Sequence, residues 1–183
     1  QAVLYKNEGI TWELRKLGEL VTIKSGASPS IFCEGNILYI KVDDLNYSRR
    51  EQYQSNMKVK TNEKTHMVKE GSIIFPKRGA AIMTNKVRIL AKAGYMDTNM
   101  MALEPNDING DFLYMFIYKT GLYKIADTST IPQINNKHIE PYEIMTPKSE
   151  EQNKIGDFFK NLDNLITLHQ RKVETKNSKE IYA

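Results

Sequence analysis

Four short segments of the 183-residue chain carry side chains that form directed hydrogen bonds: Lys24-Ser25, Lys77-Arg78, Asn85-Lys86 and Gln133-x-Asn135-Asn136-Lys137. On a DNA duplex, arginine or lysine bridges guanine O6 and N7 in the major groove, and asparagine or glutamine pairs with adenine N6 and N7. Arg78 is the first choice among them. It follows a run stopped by Pro76 and precedes Gly79, whose missing side chain lets the backbone approach a ligand closely. Arg49, Arg50, Lys58 and Lys60, together with Lys64, suit phosphate contacts, which position a protein on DNA without specifying sequence. The plainer alternative for every one of these residues is a solvated loop side chain, and Asn135 has a further one as the N-cap of a turn that begins at Asn136.

Charge leaves a polyanion partner and a plain solvated face both open. The net charge is +4, but residues 41–92 hold twelve basic against five acidic side chains, residues 1–40 are neutral, and residues 93–183 sum to −3. This asymmetry points to one part that faces a polyanion and another with a different task, against the alternative of a merely solvated basic face.

Bond-making chemistry is sparse. The chain has no GxGxxG, P-loop, HExxH or GxSxG pattern. His66, His138 and His169 lie far apart without ligand-spaced neighbours, so no metal site is expected. Cys33, beside Phe32, reads as a small buried hydrophobe; a single cysteine makes no internal disulfide and suits a reducing cytoplasm. Asp43-Asp44 reads as a turn. The expectation is a binding protein, not an enzyme, with no cofactor of its own. A composition of 40% hydrophobic and 26% charged residues is ordinary for a globular chain, and no apolar run nears the roughly 18 residues of a membrane span. Residues 1–10 lack the apolar core of a signal segment and read as a mature or excised start.

The elements that must position these groups predict a mixed α/β (α+β) fold. Residues 11–23 place Leu17, Leu20 and Val21 at helical spacing and read as a short helix leading into a strand. Strands are expected at 37–42, 71–76, 86–90, 100–103 and 142–146, with irregular strands and loops over 47–69. Residues 111–118 predict a buried helix with Asn109 as N-cap and Gly121 as its stop. The loops are 24–30, 77–81 and 127–136.

The clearest element is the last. Ser149-Glu150-Glu151-Gln152 has the spacing of a capping box, and the two glutamates sit where a helix dipole favours negative charge. Ile155, Phe158, Leu162, Leu165 and His169 then fall at a and d positions, with Phe159, Ile166 and Val173 on the adjoining row. A helix from 150 to about 178 is about 43 Å long, too long for one small domain to cover. The first turns are expected to pack on their own domain and the rest of the stripe on a partner helix. His169 reads as a seam residue or a pH-sensitive interface group. This divides the chain into a compact domain over 1–147 and a spacer or dimerisation helix over 148–183.

Several pieces together resemble one family. Trp12-x4-Leu17-Gly18-Glu19-Leu20 followed by residues 25–30 (SGASPS) is similar to the opening of a target recognition domain of the specificity subunit of type I restriction-modification systems. Ile131-Pro132-Gln133-Ile134 and Ile144-x2-Pro147-x3-Glu151-Gln152-x2-Ile155-x6-Leu162-Asp163 resemble that family's close. The match runs over residues 12–166. Two departures stand out: Ala80-Ala81-Ile82-Met83 replaces a second glycine after Arg78-Gly79, and the chain is about half the usual tandem unit, with no internal repeat.

The resemblance implies a reader of one half of a split double-stranded DNA target. Its long helix would pair antiparallel with that of a second half, in cis or in a homodimer. The pair would dock modification (methyltransferase) subunits and, through them, the restriction subunit. S-adenosylmethionine and ATP would belong to those other chains. Glu140-Pro141-Tyr142 lacks the amide and the proline pair of a methylation motif, which agrees. Two other readings stay open: a recognition module of a larger methyltransferase or endonuclease polypeptide, which flanking sequence would reveal, and a helical oligomerisation protein, which failure to bind duplex DNA at low salt would favour.

Overall fold

The structure is a computed structural model that describes residues 4–7 and 10–181. In chain order the elements are β1 (Leu4–Asn7), β2 (Ile10–Lys16), α1 (Leu17–Leu20), β3 (Val21–Ser25), β4 (Glu34–Ile40), β5 (Glu51–Gln52), β6 (Met57–Val59), β7 (Ile73–Pro76), β8 (Arg88–Leu90), β9 (Gly94–Met96), β10 (Met100–Pro105), α2 (Gly110–Thr120), α3 (Leu122–Ile125), α4 (Asn136–Ile139), β11 (Glu143–Thr146) and α5 (Ser149–Ile181). The mixed α/β class expected from the sequence is the class observed. The reading of residues 1–10 as an excised start falls partly outside the described residues.

The run Ile73-Ile74-Phe75 is apolar at every position, the pattern of a strand covered on both faces. It forms β7, a middle strand of the five-stranded sheet β3-β10-β7-β8-β5. Alternation sends Ile73 and Phe75, with Met101 and Leu103 of β10, into a large core shared with Phe112, Leu113 and Ile117 of α2, Leu122 of α3, Ile139 of α4 and Ile144 of β11. Ile74, Met100 and Ala102 point the other way, onto Leu38 and Ile40 of β4 and Met96 of β9. Those last strands belong to a second sheet, β6-β4-β9. A third sheet, β1-β2-β11, closes the first core, where Trp12 meets Phe112 edge-on at 6.3 Å.

Most of the expected elements are present, and the differences have physical causes. Residues 10–16 are strand, because Trp12 and Leu14 alternate with Glu13 and Arg15, and β2 is held by β1 on one side and β11 on the other. The helix expected there shrinks to α1, whose Leu17 and Leu20 are buried. Cys33 is exposed, contrary to the expectation of burial. The irregular stretch after β4 is ordered by buried polar groups. Asp44 accepts from Lys41 N–H at 2.8 Å and Asn56 N–H at 3.2 Å, and Arg88 donates to Leu45 O at 2.7 Å and Ser48 Oγ at 3.0 Å. A buried polar group is tolerated when its hydrogen bonds are made internally, so these side chains replace the regular backbone pairing this segment lacks.

Helix α2 begins and ends where the sequence places its caps: Asn109 Oδ1 accepts from Phe112 N–H at 2.9 Å, and Gly121 takes φ +85° at the stop. The capping box of α5 does not form. Gln152 is buried and turns inward instead: its Nε2 donates to Pro147 O and its Oε1 accepts from Asn109 N–H, both at 2.9 Å. Tertiary partners outbid the local reciprocal bond, because Asn109 N–H and Pro147 O would otherwise be buried unpaired.

Gly156 completes this junction. A Cβ there would lie 2.8 Å from Asn109 Oδ1 and 2.9 Å from Asp111 Cβ, so α5 lies against the start of α2 only because position 156 has no side chain. On an exposed helix, Gly→Ala stabilises by about 1 kcal/mol. At Gly156 overpacking outweighs propensity, and Gly156→Ala is expected to destabilise by about 1–3 kcal/mol in chemical denaturation. A stabilised variant would show that α5 does not dock on α2 this way.

Candidate nucleic-acid interface

Strand order brings distant loops to one end of the five-stranded sheet. β3 and β7 finish there; β10, antiparallel to both, begins there, as does β8, antiparallel to β7. Beyond Ser25 the chain turns so tightly over the Asp97 turn that a Cβ on Gly26 would sit 1.9 Å from Asp97 O. That contact keeps loop 26–30 close to the start of β10.

The centre of the site is the loop after Pro76. Lys77 N–H donates to Asn99 O at 2.8 Å, Lys77 O accepts from Ile134 N–H at 2.9 Å, and Gly79 N–H donates to Pro132 O at 2.8 Å. Arg78 and Gln133 thereby stand side by side as an antiparallel bridge, and Gln133 is bonded through both its backbone groups to Asp127 at 3.0 and 2.9 Å. Lys77 Nζ donates to Ser25 Oγ at 3.2 Å. Backbone pairing on both sides of Arg78 fixes its base while leaving its side chain exposed, which is what a reading arginine requires. Lys137, exposed on α4, lies close enough to help hold the Asp127 carboxyl below its usual range, after the main cause, hydrogen bonds from Ser129.

Ser25, Lys77, Arg78, Gln133 and Lys137 are thus gathered from segments more than 100 residues apart. Lys24 is half-buried and, by strand alternation, points to the opposite face from Ser25. Lys86 bonds Asn46 Oδ1 and flanks the cluster on the β8 side, and Arg49 is exposed just before β5, the next strand over. Lys58 and Lys60 are exposed on and beside the edge strand β6; Lys60 N–H donates to Cys33 O at 2.9 Å, a strand's length from the cluster. Asn136 is exposed on α4. Asn135 is the N-cap of α4: its N–H donates to His138 Nδ1 at 3.1 Å and its C=O accepts from His138 N–H at 2.9 Å. Asn99 and Asp127 also belong to the site, and sequence reasoning missed them because nothing local marks a loop that tertiary pairing brings in.

Two of the expected contacts are corrected. Asn85 has φ +49°, and both ends of its amide are used internally: Nδ2 donates to Tyr118 O at 2.9 Å and Oδ1 accepts from Leu122 N–H at 3.0 Å. It ties the loop to α2 and α3. Arg50 is buried between the Asp111 and Asp163 carboxylates, which satisfy the charge that a phosphate was expected to meet.

The stripe on α5 also divides. Ile155 is partly buried against the domain's own core, and Phe159 is half-buried. Phe158, Leu162, Leu165 and Ile166 are exposed, Phe158 at 63% and Leu165 at 64%, as is His169. Val173 has its side chain outside the described residues. Among the described residues no helix is long and apolar enough to cross a membrane.

Partial burial, and secondarily the neighbouring Arg78, pushes the Lys77 pKa below its ordinary 10.5. A base with a depressed folded-state pKa binds its proton less tightly when folded. The charged lysine therefore costs stability below that depressed value, and the cost fades as pH rises through 10.5. Lys77→Gln is expected to raise the thermal unfolding midpoint at pH 7, with variant and parent converging in alkaline solution. A variant less stable than the parent at pH 7 contradicts this placement.

The sequence and the fold resemble those of known proteins. The family model described as type I restriction modification DNA specificity domain matches residues 9–176. The chain is 28% identical over 175 residues to the type I restriction enzyme MjaVIII specificity subunit of Methanocaldococcus jannaschii, covering 91% of this chain and 39% of that protein. It is 30% identical over 173 residues to the MjaIX specificity subunit of the same organism, covering 85% and 38%. Its fold matches the HsdS subunit from Thermoanaerobacter tengcongensis with a TM-score of 0.69 at 18% identity, over 87% of this chain and 39% of that one. It also matches a chain from a structure of complex assembly and conformational transition in the type I R-M system, with a TM-score of 0.72 at 18% identity, over 91% and 41%. The chain spans about two fifths of the length of these relatives. With nearly its whole length matched, the chain belongs to the family of type I restriction modification DNA specificity domains.

Proposed function

We propose that this chain reads one half of a divided double-stranded DNA target through the loops at the end of its central sheet, and that α5 spaces it from a second reader. The observation that carries this is the convergence of Ser25, Lys77, Arg78, Gln133 and Lys137, with Arg49 and Lys86 flanking them. Arg78 and Gln133 have the donor patterns that read base edges; Lys58, Lys60 and Arg49 take phosphates. Asn135 and Asn136, just after Gln133 in the chain, make further contacts to the duplex, whereas Lys24 faces away from Ser25.

The chain is a non-catalytic reader, consistent with its family, and acts where DNA is, in the cytoplasm. Its exposed stripe of Phe158, Leu162, Leu165, Ile166 and His169 packs antiparallel on a second long helix in a coiled coil. That helix comes from another recognition unit in cis or from a second copy of the chain. The paired helices dock modification (methyltransferase) subunits and, through them, the restriction subunit; S-adenosylmethionine and ATP are used by those chains. Residues 1–147 form the reading domain and 148–183 the spacer. At 33 residues, α5 is about 50 Å long, so readers at opposite ends of such a pair address sites between about one and one and a half DNA turns apart.

Arg78→Ala is expected to cost about 1–3 kcal/mol on the preferred duplex and to relax base preference, whereas Lys60→Ala weakens all sequences alike. With about six phosphate contacts, log K should fall with log salt at a slope near −5 in fluorescence-anisotropy titrations. A flat salt dependence rejects DNA binding. The pairing stripe has its own check: sedimentation equilibrium at micromolar concentration should find a dimer that the double variant Leu162→Glu, Leu165→Glu dissociates. If the double variant sediments like the parent, pairing through the stripe is rejected.

A further inference from the structure

Base reading leaves the placement of Arg50 unexplained. Its side chain is 8% exposed, and groups remote in sequence converge on it. Nη1 donates to Asp163 Oδ2 of α5 at 2.8 Å, Nη2 donates to Asp111 Oδ1 of α2, and the guanidinium carbon stands 4.5 Å from the ring centroid of Tyr114. Lys160, one turn before Asp163, reaches the other oxygen of Asp111 at 3.6 Å. An arginine fork can hold two carboxylates at a set separation and angle, which the point charge of a lysine cannot.

One of those carboxylates belongs to the globule and the other to the last part of α5 seen to bond it. Beyond Asp163, Leu165, Ile166 and Leu168 are exposed. A buried ion pair adds little net stability, because desolvation offsets the attraction, yet a helix direction that takes Asp163 away leaves the buried guanidinium with one of its two carboxylates. The bonds therefore discriminate between helix directions more than they strengthen the fold. The lever is long: from Asp163 to Ile181 the helix runs about 27 Å, so a swing of about 10° moves its end about 5 Å, more than the 3.4 Å rise of one base pair.

We infer that Arg50, with Asp111 and Asp163, is a positioning residue that sets the direction of α5 relative to the reading end, and through it the separation at which two half-targets are read. The direction rests on the geometry alone; the separation rests also on the proposed reading of DNA.

Two measurements on the full chain test it. Spin labels at the native, exposed Cys33 and at Lys172→Cys, diluted with unlabelled chain, report the distance from globule to helix. Asp163→Asn and Arg50→Gln are expected to widen that distribution about twofold, as a released hinge does. Asp163→Glu keeps a carboxylate within reach and returns it to the parental width. Asp163 is partly exposed on α5, so its variants leave the globule folded even if Arg50→Gln does not. Selection from a pool of random duplexes should return the same half-site bases for parent and variants, with one spacer length for the parent and several for the variants.

Unchanged width and unchanged spacer overturn the inference. If the parent enriches no sequence at all, the reading of DNA fails and the spacing claim with it, while the width still decides whether Arg50 directs the helix.

Discussion

The burial of β7 and β10 on both faces is the constraint on which the remaining structure depends. Ile73 and Phe75 face one core, Ile74 and Met100 the other, so these strands have no solvent side. Polar function is driven to the strand ends, where loops leave the sheet and their backbones need partners. At one end, Lys77, Gly79 and Gln133 find those partners in one another's loops, and the arginine between them becomes fixed and exposed at once. At the other end, the chain leaves β10 through Asn109 into α2, and Asn109 is the residue on which α5 docks.

Helix α5 has two faces of opposite chemistry. Gln152, Gly156, Lys160 and Asp163 recur every three to four residues and meet the globule through hydrogen bonds, a missing side chain and ion pairs. Phe158, Leu162 and Leu165 lie two residues on from positions of that row, about 200° around the helix, and are left uncovered. The polar face holds the helix on the globule, and the apolar face stays uncovered. A helix that packed its apolar stripe on its own domain would have nothing left to pair with.

Local signals predicted whatever local physics decides. The caps of α2 at Asn109 and Gly121 were legible because a cap is a bond between near neighbours. The strand at Ile73–Pro76 was legible from its unbroken apolar run and terminal proline. Residues 10–16 were misread because helical spacing at Leu17, Leu20 and Val21 was carried backward across a stretch whose own alternation, Trp12 and Leu14 against Glu13 and Arg15, marks a strand. The strand Gly94–Met96 went unseen because three residues carry too little pattern. The capping box at Ser149 was a sound local reading that failed when Gln152 found buried partners in Pro147 and Asn109.

By itself, then, the sequence determined the class of fold, the family, the basic stretch, the long terminal helix and its apolar stripe, all of which follow from composition, period and motif order. Tertiary structure alone decided which cations are free. Arg49 and Arg50 are adjacent and identical in type, yet one is exposed and the other is held between carboxylates 61 and 113 residues away. Asn85 and Gln133 are both loop amides, yet the first spends both ends of its side chain on α2 and α3 while the second stands paired to Arg78. The reason is physical: availability for a ligand is set by which groups are left unpaired after folding, and pairing over such distances leaves no mark on neighbouring residues.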